Sequence, residues 1–464
     1  MRSSHHCLGG WDPVPPTESA DLGTVDAPWG QISRNQHERG CVFRNVCFRA
    51  GGEWNYYAPL GEFEEVETLR AGVDVWSRGG FGRNLPPKDQ PFRVTHSALP
   101  AEVGWLRSPT LVHVSLFAPS NFGHFLGNGL FPAFHAVWRL LGAAAATDPS
   151  MQLLFAGPNQ TDPAHVQRVR RRCMRAKAGG VGGTPAAGRG CVDERIPERI
   201  SKFVEGLVPG LSDAPPLWDE SLARLAARER GGLICARRLL VGVGGLSFAT
   251  VYEHDDAAGA GTAQGEAVRR RPPLPLWSDF IEHMSRRLLR GNGAEDAESA
   301  RTAVLIIKEG RRAPTGRAFE RIRAAVAQLL PIRLRVVDPS GLSIREQLRI
   351  VSRAPLGIAP DGGTSLLGAF LPDGASLIVL GSLERWVWAN DRRVRAFYCT
   401  PSERERHAHC DAGGSSDCYE AEAVLPCIKR RMLPRARAHA ALTWPALLNS
   451  AANSTRGGQG QRRA

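Results

Sequence analysis

The sequence lacks any long run of apolar residues. No stretch approaches the ~20 apolar residues that a membrane-spanning helix needs. The first residues, Met1–Pro28, are polar and proline-rich, and they lack the apolar core of a signal peptide. Two interpretations stay open at this point: the protein is cytosolic, or its true start lies upstream of this sequence.

The ten cysteines include no Cys-x-x-Cys pair, so their wide spacing does not favour a zinc site. The best metal candidate is the run that contains His407, His409 and Cys410. Disulfide bonds formed in an oxidising lumen explain the cysteines better. An alternating, strand-like run begins at Cys41 and ends just after Cys47, and we expect an intrachain or nearby disulfide to fix it. Further disulfides are expected within a C-terminal cluster that consists of Cys399, Cys410, Cys418 and Cys427.

The charge of the chain is strongly positive, with 59 Lys and Arg against 46 Asp and Glu and a net charge of +13. The positive residues are spread along the chain and do not gather in one stripe that also carries aromatic residues. This distribution does not favour a nucleic-acid-binding protein. It remains compatible with a smaller polyanionic partner, such as a nucleotide diphosphate.

At 464 residues the chain is long enough for two domains, each with its own core. Residues 254–273 and 291–300 are rich in Gly, Ala and charge and show no clear periodicity, which predicts insertions around a domain junction. The expected organisation is a disordered N-terminus over 1–30, an N-terminal α/β domain over 31–250, a linker with insertions over 251–300, a C-terminal α/β domain over 301–432, and a basic tail over 433–464.

From Thr302 onward, strand-like and helix-like patterns alternate cleanly. Ser343 and Glu346 have the spacing of a capping box at the start of one of the helices. Alternation of this kind predicts a parallel, doubly wound sheet, in which ligands bind beyond the carboxyl ends of the strands. The predicted strands are Val304–Ile307, Leu334–Val337, Leu356–Ile358 and Ser376–Leu380.

Two segments that follow predicted strands carry residues suited to binding an anion. The cations after the first strand are Lys308, Arg311 and Arg312. The glycines and polar residues after the third strand are Asp361, Gly362, Gly363, Thr364 and Ser365. The two glycines can take positive φ and the two hydroxyl residues are good helix N-caps, so a helix that starts here would offer free N–H groups to an anion. The alternative is an ordinary tight turn between a strand and a helix.

Several motifs, taken in order, resemble those of family 61 glycosyltransferases, which include xylosyl- and N-acetylglucosaminyltransferases of the secretory pathway. The resemblance runs over roughly residues 40 to 385. Three positions depart from the family pattern: Asp361 replaces the histidine of a His-Gly-Ala turn, Asn128 replaces an acidic residue, and Val379 replaces a glutamate. The similar segments are Cys41–Phe48, Asn121–Phe134, Cys235–Gly245, Ile306–Arg312, Ser343–Ile350 and Pro360–Leu380.

The resemblance implies a GT-B-like α/β fold of two doubly wound, Rossmann-like domains. It makes the domain over 31–250 the acceptor-side domain and the domain over 301–432 the nucleotide-sugar-binding domain. It implies an inverting, metal-independent transfer from a UDP-sugar donor, of the UDP-xylose or UDP-GlcNAc type, to a hydroxyl of a glycan or glycoprotein. The implied location is the Golgi or endoplasmic reticulum lumen, with membrane attachment only through an N-terminal anchor that is missing from this chain. No cofactor besides the donor and no nucleic-acid partner are expected.

The chemistry of such a transfer gives roles to the candidate residues. The departing diphosphate gains negative charge, which Lys308, Arg311, Arg312 and the N–H groups of the glycine turn are suited to stabilise. Inversion needs a base near the acceptor hydroxyl. His124 is the first candidate and Asp361 the second; the alternatives are a structural histidine and a carboxylate that caps a helix or contacts a sugar hydroxyl. The three departures keep a second function open, a non-catalytic carbohydrate- or nucleotide-binding relative of the family.

Overall fold

The protein divides into two compact units, Met1–Arg290 and Gly291–Ala464. The boundary falls within the segment 251–300, which the sequence predicts to be a linker. The residues that the computed structural model describes are 2–8, 40–58, 92–114, 116, 119–156, 159, 161–164, 166–168, 171, 196–241, 276–290, 302–308, 313–314, 316–329, 333–381, 387–388, 391–401, 406–407 and 418–431.

The first unit is built on a mixed sheet, in which the described residues form nine strands. They are β1 (Ser4–Leu8), β2 (Gly40–Arg49), β3 (Trp54–Tyr57), β4 (Phe92–Thr95), β5 (Gly104–Trp105), β6 (Leu111–Val114), β7 (Gln152–Phe155), β8 (Leu217–Trp218) and β9 (Leu233–Val241). The order is β4-β3-β2-β9-β6-β7-β8, with β1 beside β2 and β5 beside β9. Strands β6, β7, β8 and β9 are parallel, whereas β2 is antiparallel to β9. The α/β class is confirmed. Strand β2 runs antiparallel to its neighbours β1, β3 and β9, which is a feature that the sequence did not indicate.

Strand β1 lies in the segment 1–30, for which the sequence predicts disorder. It pairs with β2 from Ser4 opposite Arg44 to Leu8 opposite Gly40. Just before it, the Ser3 hydroxyl donates to the carbonyl of Asn45 at 2.7 Å. The prediction of disorder is therefore wrong for the five residues of β1, because pairing with a distant strand supplies hydrogen bonds that local composition does not reveal. Residues 9–30 lie outside the described part of the chain.

The expected disulfide on β2 is confirmed, and its partner lies far along the chain. Cys47 is bonded to Cys235, which sits directly opposite it in the antiparallel register of β2 and β9. Both cysteines are fully buried. Cys41, at the other end of the strand-like run, is also disulfide-bonded. The bond between Cys47 and Cys235 therefore joins β2, which runs against its neighbours, to β9, which runs parallel to β6.

A helix in three consecutive parts follows β6. The parts are α1 (Phe122–His124), a π-helical segment (Phe125–Leu130) and α2 (Phe131–Leu141). Pro132 lies in the first turn of α2, directly after the π-helical segment. The other α-helices in the described part of this unit are α3 (Ala143–Ala146), α4 (Ile196–Leu207), α5 (Asp219–Arg228) and α6 (Trp277–Leu288).

Helix α6 lies within the segment 251–300, between the two predicted insertions, where the apolar spacing over 274–289 predicts a helix. The Trp277 ring lies 5.2 Å from the Phe131 ring of α2, and the Phe280 ring lies 5.5 Å from the ring of Phe134. Burying an aromatic side chain of this size stabilises a fold by about 1.5–3 kcal/mol. This helix therefore belongs to the core of the first unit, although its flanking residues have the composition of a linker.

The second unit is built on a parallel sheet of five strands, as the alternating pattern predicts. They are β10 (Thr302–Ile306), β11 (Arg333–Val337), β12 (Leu356–Pro360), β13 (Ser376–Leu380) and β14 (Arg395–Tyr398). Their order is β11-β10-β12-β13-β14, and every neighbouring pair is parallel. The connecting helices are α7 (Gly316–Leu329), α8 (Ile344–Val351) and a 3₁₀ helix (Ser365–Phe370). A separate antiparallel pair consists of β15 (Arg406–His407) and β16 (Cys418–Tyr419).

Two further sequence predictions are confirmed in this unit. The side chain of Ser343 accepts from the N–H of Glu346, whose own side chain accepts from the N–H of Ser343, so the capping box at the start of α8 is present. A disulfide joins Cys399, just after β14, to Cys427. The other two members of the cysteine cluster, Cys410 and the side chain of Cys418, lie outside the described residues.

Candidate functional site

The candidate site lies where the chain changes direction across the second sheet. From β10 the chain passes through α7 to β11 on one side, and α8 then returns it to β12 on the other side of β10. The connections that leave the carboxyl ends of β10 and β12 therefore run to opposite sides, which creates the crevice where open α/β sheets bind ligands. Lys308 follows the first of these strands, and the turn that begins at Asp361 follows the second.

Lys308 and the glycine turn are in direct contact. The Nζ atom of Lys308 donates a hydrogen bond to the main-chain carbonyl oxygen of Asp361 at 3.1 Å. Gly362 has a φ of +91°, which a residue with a side chain rarely adopts. A Cβ atom at this position would also lie 3.2 Å from the Lys308 Nζ. The turn therefore needs glycine at 362 for two reasons, its backbone conformation and the approach of the lysine.

The helix after the turn is shorter than the sequence suggests. It is a six-residue 3₁₀ helix in which every residue is buried. The N-cap is Thr364, and its side chain makes no capping hydrogen bond. The N–H and the hydroxyl of Ser365 each donate to the carbonyl of Gly362, at 2.9 Å. Ser365 therefore directs its donors back into the turn, and the helix is too short to carry an appreciable dipole.

The carboxylate of Asp361 points toward the neighbouring strand. The residue is only 5% exposed. Its N–H donates to the carbonyl of Leu380 at 3.3 Å, and its carboxylate packs against Gly381 so closely that a Cβ atom there would overlap it. Any side chain at position 381 would overlap the Asp361 carboxylate, so this position requires glycine. Gly381 belongs to none of the predicted site motifs. The only signal in the sequence is a glycine directly after a predicted strand.

His124 belongs to the first unit, at the end of α1. This helix follows β6, a strand with parallel neighbours on both sides. The Oδ1 atom of Asn121 caps α1 by accepting from the N–H of Gly123 at 2.9 Å and from that of His124 at 3.4 Å. Burial lowers the pKa of His124 below its ordinary value of 6.5. Its imidazole is therefore neutral near pH 7, which is the form that a general base requires.

Some of the remaining candidate site residues lie outside the part of the chain that the structure describes. Arg311 and Arg312 lie outside the described residues, so within the second unit the structure brings together Lys308 and the turn Asp361–Ser365. The described residues contain no group of His, Cys, Asp or Glu that could hold a metal ion. Of the suggested run His407–Cys410, the backbone of His407 alone is described. The other two departures from the family pattern, Asn128 in the π-helical segment and Val379 in β13, are both buried.

A scan against protein-family models and a search of curated proteins found no match to this sequence.

Among the described residues, no helix combines the length and apolar character needed to cross a membrane. Two disulfides with both cysteines described, Cys47–Cys235 and Cys399–Cys427, are compatible with folding in a secretory lumen.

Proposed function

We propose that this protein is a glycosyltransferase related to family 61, which transfers a sugar from a UDP-sugar to a hydroxyl of a glycan or glycoprotein. The main support for this proposal is the position of Lys308. Its ammonium is hydrogen-bonded to the glycine turn, at the point where the strand order of the parallel sheet reverses. The ordered motifs between residues 40 and 385 support the same assignment. The proposed location is the lumen of the Golgi or endoplasmic reticulum.

The proposed reaction is a single displacement with inversion. The acceptor oxygen forms a bond to the anomeric carbon as the bond from that carbon to the phosphate oxygen breaks, and the electron pair leaves with the diphosphate. The positive charge of Lys308 stabilises the departing diphosphate, in a role that a metal ion fills in other transferases. Gly363 and Thr364, which are partly exposed in the turn, offer further polar groups.

His124 is the proposed base. Its neutral imidazole accepts the proton of the acceptor hydroxyl as that oxygen attacks. Asp361 is then a positioning residue, because its buried carboxylate faces Gly381 and its main-chain carbonyl holds the ammonium of Lys308.

The orientation of the Asp361 carboxylate also favours a second candidate function. A family member with a histidine at this position presents a different side chain at the turn, whereas here a carboxylate packs against the next strand. The second candidate is a relative that binds a carbohydrate or nucleotide without transferring sugar.

One set of measurements on the purified protein separates these functions. We expect UDP-sugars to raise the melting temperature, and the protein to release UDP from one of them when a glycan acceptor is present. His124→Gln should lower kcat without changing the affinity for UDP, because the base does not contact the diphosphate. Binding without UDP release would support the second candidate, and the absence of any stabilisation by a panel of nucleotide sugars would overturn both.

A further inference from the structure

Among the described strands, β11 lies at an edge of the second sheet and has two chemically different faces. Among the described strands it pairs with β10 alone. Arg333 and Arg335 project to one face of the sheet, and Leu334 and Val336 project to the other, because successive side chains of a strand alternate. Both arginines are exposed. Val336 is 37% exposed, and it is the large hydrophobic residue that stands out as exposed in the described part of the protein.

The arginine face of β11 borders a groove of about 520 Å³. The floor of the groove includes Val304 of β10 and Ile350 of α8. Arg333 and Arg335 line the side formed by the strand, about 6.6 Å apart as expected for alternate residues of a strand. The side formed by the helix carries Arg349, in the last turn of α8, and Arg353, just beyond the end of that helix. Four arginines therefore converge on one groove.

Glu346 is the acidic residue that lines this groove. Its carboxylate accepts hydrogen bonds from the N–H of Ser343 at 2.9 Å and from the hydroxyl of Ser343 at 2.6 Å. These bonds, and to a lesser extent the charge of Arg349, lower the pKa of Glu346. The residues that line the groove therefore include four arginines and one carboxylate, which leaves an excess of positive charge.

We propose that β11 is a docking edge for an extended acidic peptide segment, which adds to the sheet as a strand beside β11. A strand added at an edge gains main-chain hydrogen bonds, and its alternate side chains give specificity. Side chains directly opposite Arg333 and Arg335 would lie about 4.5–5.5 Å away between Cβ atoms, which suits glutamate or aspartate. Side chains on the other face would cover Val336 and Leu334, which suits valine, isoleucine or leucine. The partner is thus a segment in which acidic and apolar residues alternate.

A second copy of this chain fits the edge less well. If two copies of β11 paired antiparallel with their faces aligned, arginine would lie opposite or diagonal to arginine, and like charges across a strand pair are destabilising. Charged edge strands commonly oppose self-association in this way. The same arginines attract an acidic strand. The edge of β11 therefore favours an acidic segment of another protein over a second copy of β11.

Fluorescence anisotropy with the full-length protein tests this proposal. The probe is a short labelled peptide of alternating glutamate and valine. We expect it to bind with an affinity that falls as salt increases, whereas a lysine–valine peptide should not bind. Arg335→Glu should weaken binding about tenfold or more, because it places like charges against each other. The matched control is Arg395→Glu, an exposed arginine on β14 at the opposite edge of the same sheet, which should bind the probe as the original protein does.

Two further arms distinguish strand addition from simple attraction between charges. A probe with N-methyl groups along one edge of its backbone cannot form the strand ladder and should lose binding, and inorganic tripolyphosphate should compete only weakly. If the methylated peptide binds as well as the parent, or if tripolyphosphate displaces the parent readily, the groove is a general anion site and strand addition is overturned. Normal binding by Arg335→Glu, with circular dichroism confirming its fold, would overturn the proposal as well.

Discussion

The ammonium of Lys308 lies 3.1 Å from the main-chain carbonyl oxygen of Asp361, across the carboxyl ends of β10 and β12. This hydrogen bond fixes the lysine at the crevice where the strand order reverses. Lysine side chains on a surface ordinarily sample many rotamers, and ordering one costs up to about 2 kcal/mol. A ligand that binds beside an already ordered ammonium avoids much of that cost.

Lys308→Ala should weaken UDP binding by about 1.5–3 kcal/mol, the range for losing a hydrogen bond to a charged group. Isothermal titration calorimetry with UDP measures the change. The control is Lys429→Ala, which removes an exposed lysine from the same unit and should leave the affinity unchanged. Equal UDP affinities for both variants and the original protein would contradict the proposed donor site.

Gly362→Ala should lower both stability and UDP affinity. A φ of +91° strains any residue with a Cβ, by about 1–2 kcal/mol, and the added Cβ would lie 3.2 Å from the ammonium of Lys308. Gly374→Ala is the matched control, because Gly374 has a φ of +80° and a Cβ added there would meet nothing within 4 Å. We expect similar losses in urea denaturation for the two variants and a loss of UDP binding in Gly362→Ala alone. Retained UDP binding would mean that the turn serves only the fold.

Replacing the disulfide between Cys47 and Cys235 by two alanines should destabilise the first unit by about 2–5 kcal/mol, the usual cost of losing a native disulfide. The two cysteines are 188 residues apart, so the bond restricts a large loop in the unfolded chain. The control replaces Cys399 and Cys427, which are 28 residues apart and belong to the second unit. Scanning calorimetry should show a different thermal transition shifting in each double variant. A shift of the same transition in both would contradict the assignment of the bonds to separate units.

The free energy of unfolding should fall as the pH decreases from about 6.5 toward 4. Burial lowers the pKa of His113, His135 and His283 from 6.5 to about 4, and nearby arginines add to the effect at the last two. Between these values the unfolded chain binds protons that the folded protein excludes, so acid favours unfolding. For His113, which is fully enclosed, a shift of this size corresponds to about 3 kcal/mol.

Urea denaturation across this pH range measures the effect. His135→Gln removes one titrating group and should make the dependence on pH shallower. An unchanged slope in His135→Gln would contradict the prediction.

The second unit could be predicted from the sequence because its signals are local. Ser376–Leu380 is a strand with the predicted bounds, and Ser343 and Glu346 form the capping box that their spacing indicates. The helix after Gly363 was the exception. Its residues are apolar enough for an α-helix, but Pro372 ends it within two turns and close packing on the sheet leaves it as 3₁₀.

The first unit was harder to predict because its organisation depends on distant contacts. Nothing near Cys47 indicates a bond to Cys235, and nothing near Ser4 indicates pairing with β2. The direction of the Asp361 carboxylate in the second unit is a similar case, since it depends on Gly381, twenty residues later. Sequence patterns therefore located Lys308 and the glycine turn, but they did not reveal which groups of the turn face outward.

The bond between Cys47 and Cys235 also sets an order of events during synthesis. Chains grow at about 5–20 residues per second, so Cys235 is made about 10–40 s after Cys47. Throughout that interval the Cys47 thiol is present without its native partner, while the earlier Cys41 and any other cysteines already made are within reach. Correct pairing therefore depends on a disulfide isomerase or on slow oxidation, and rapid oxidation of the nascent chain should trap the wrong bonds.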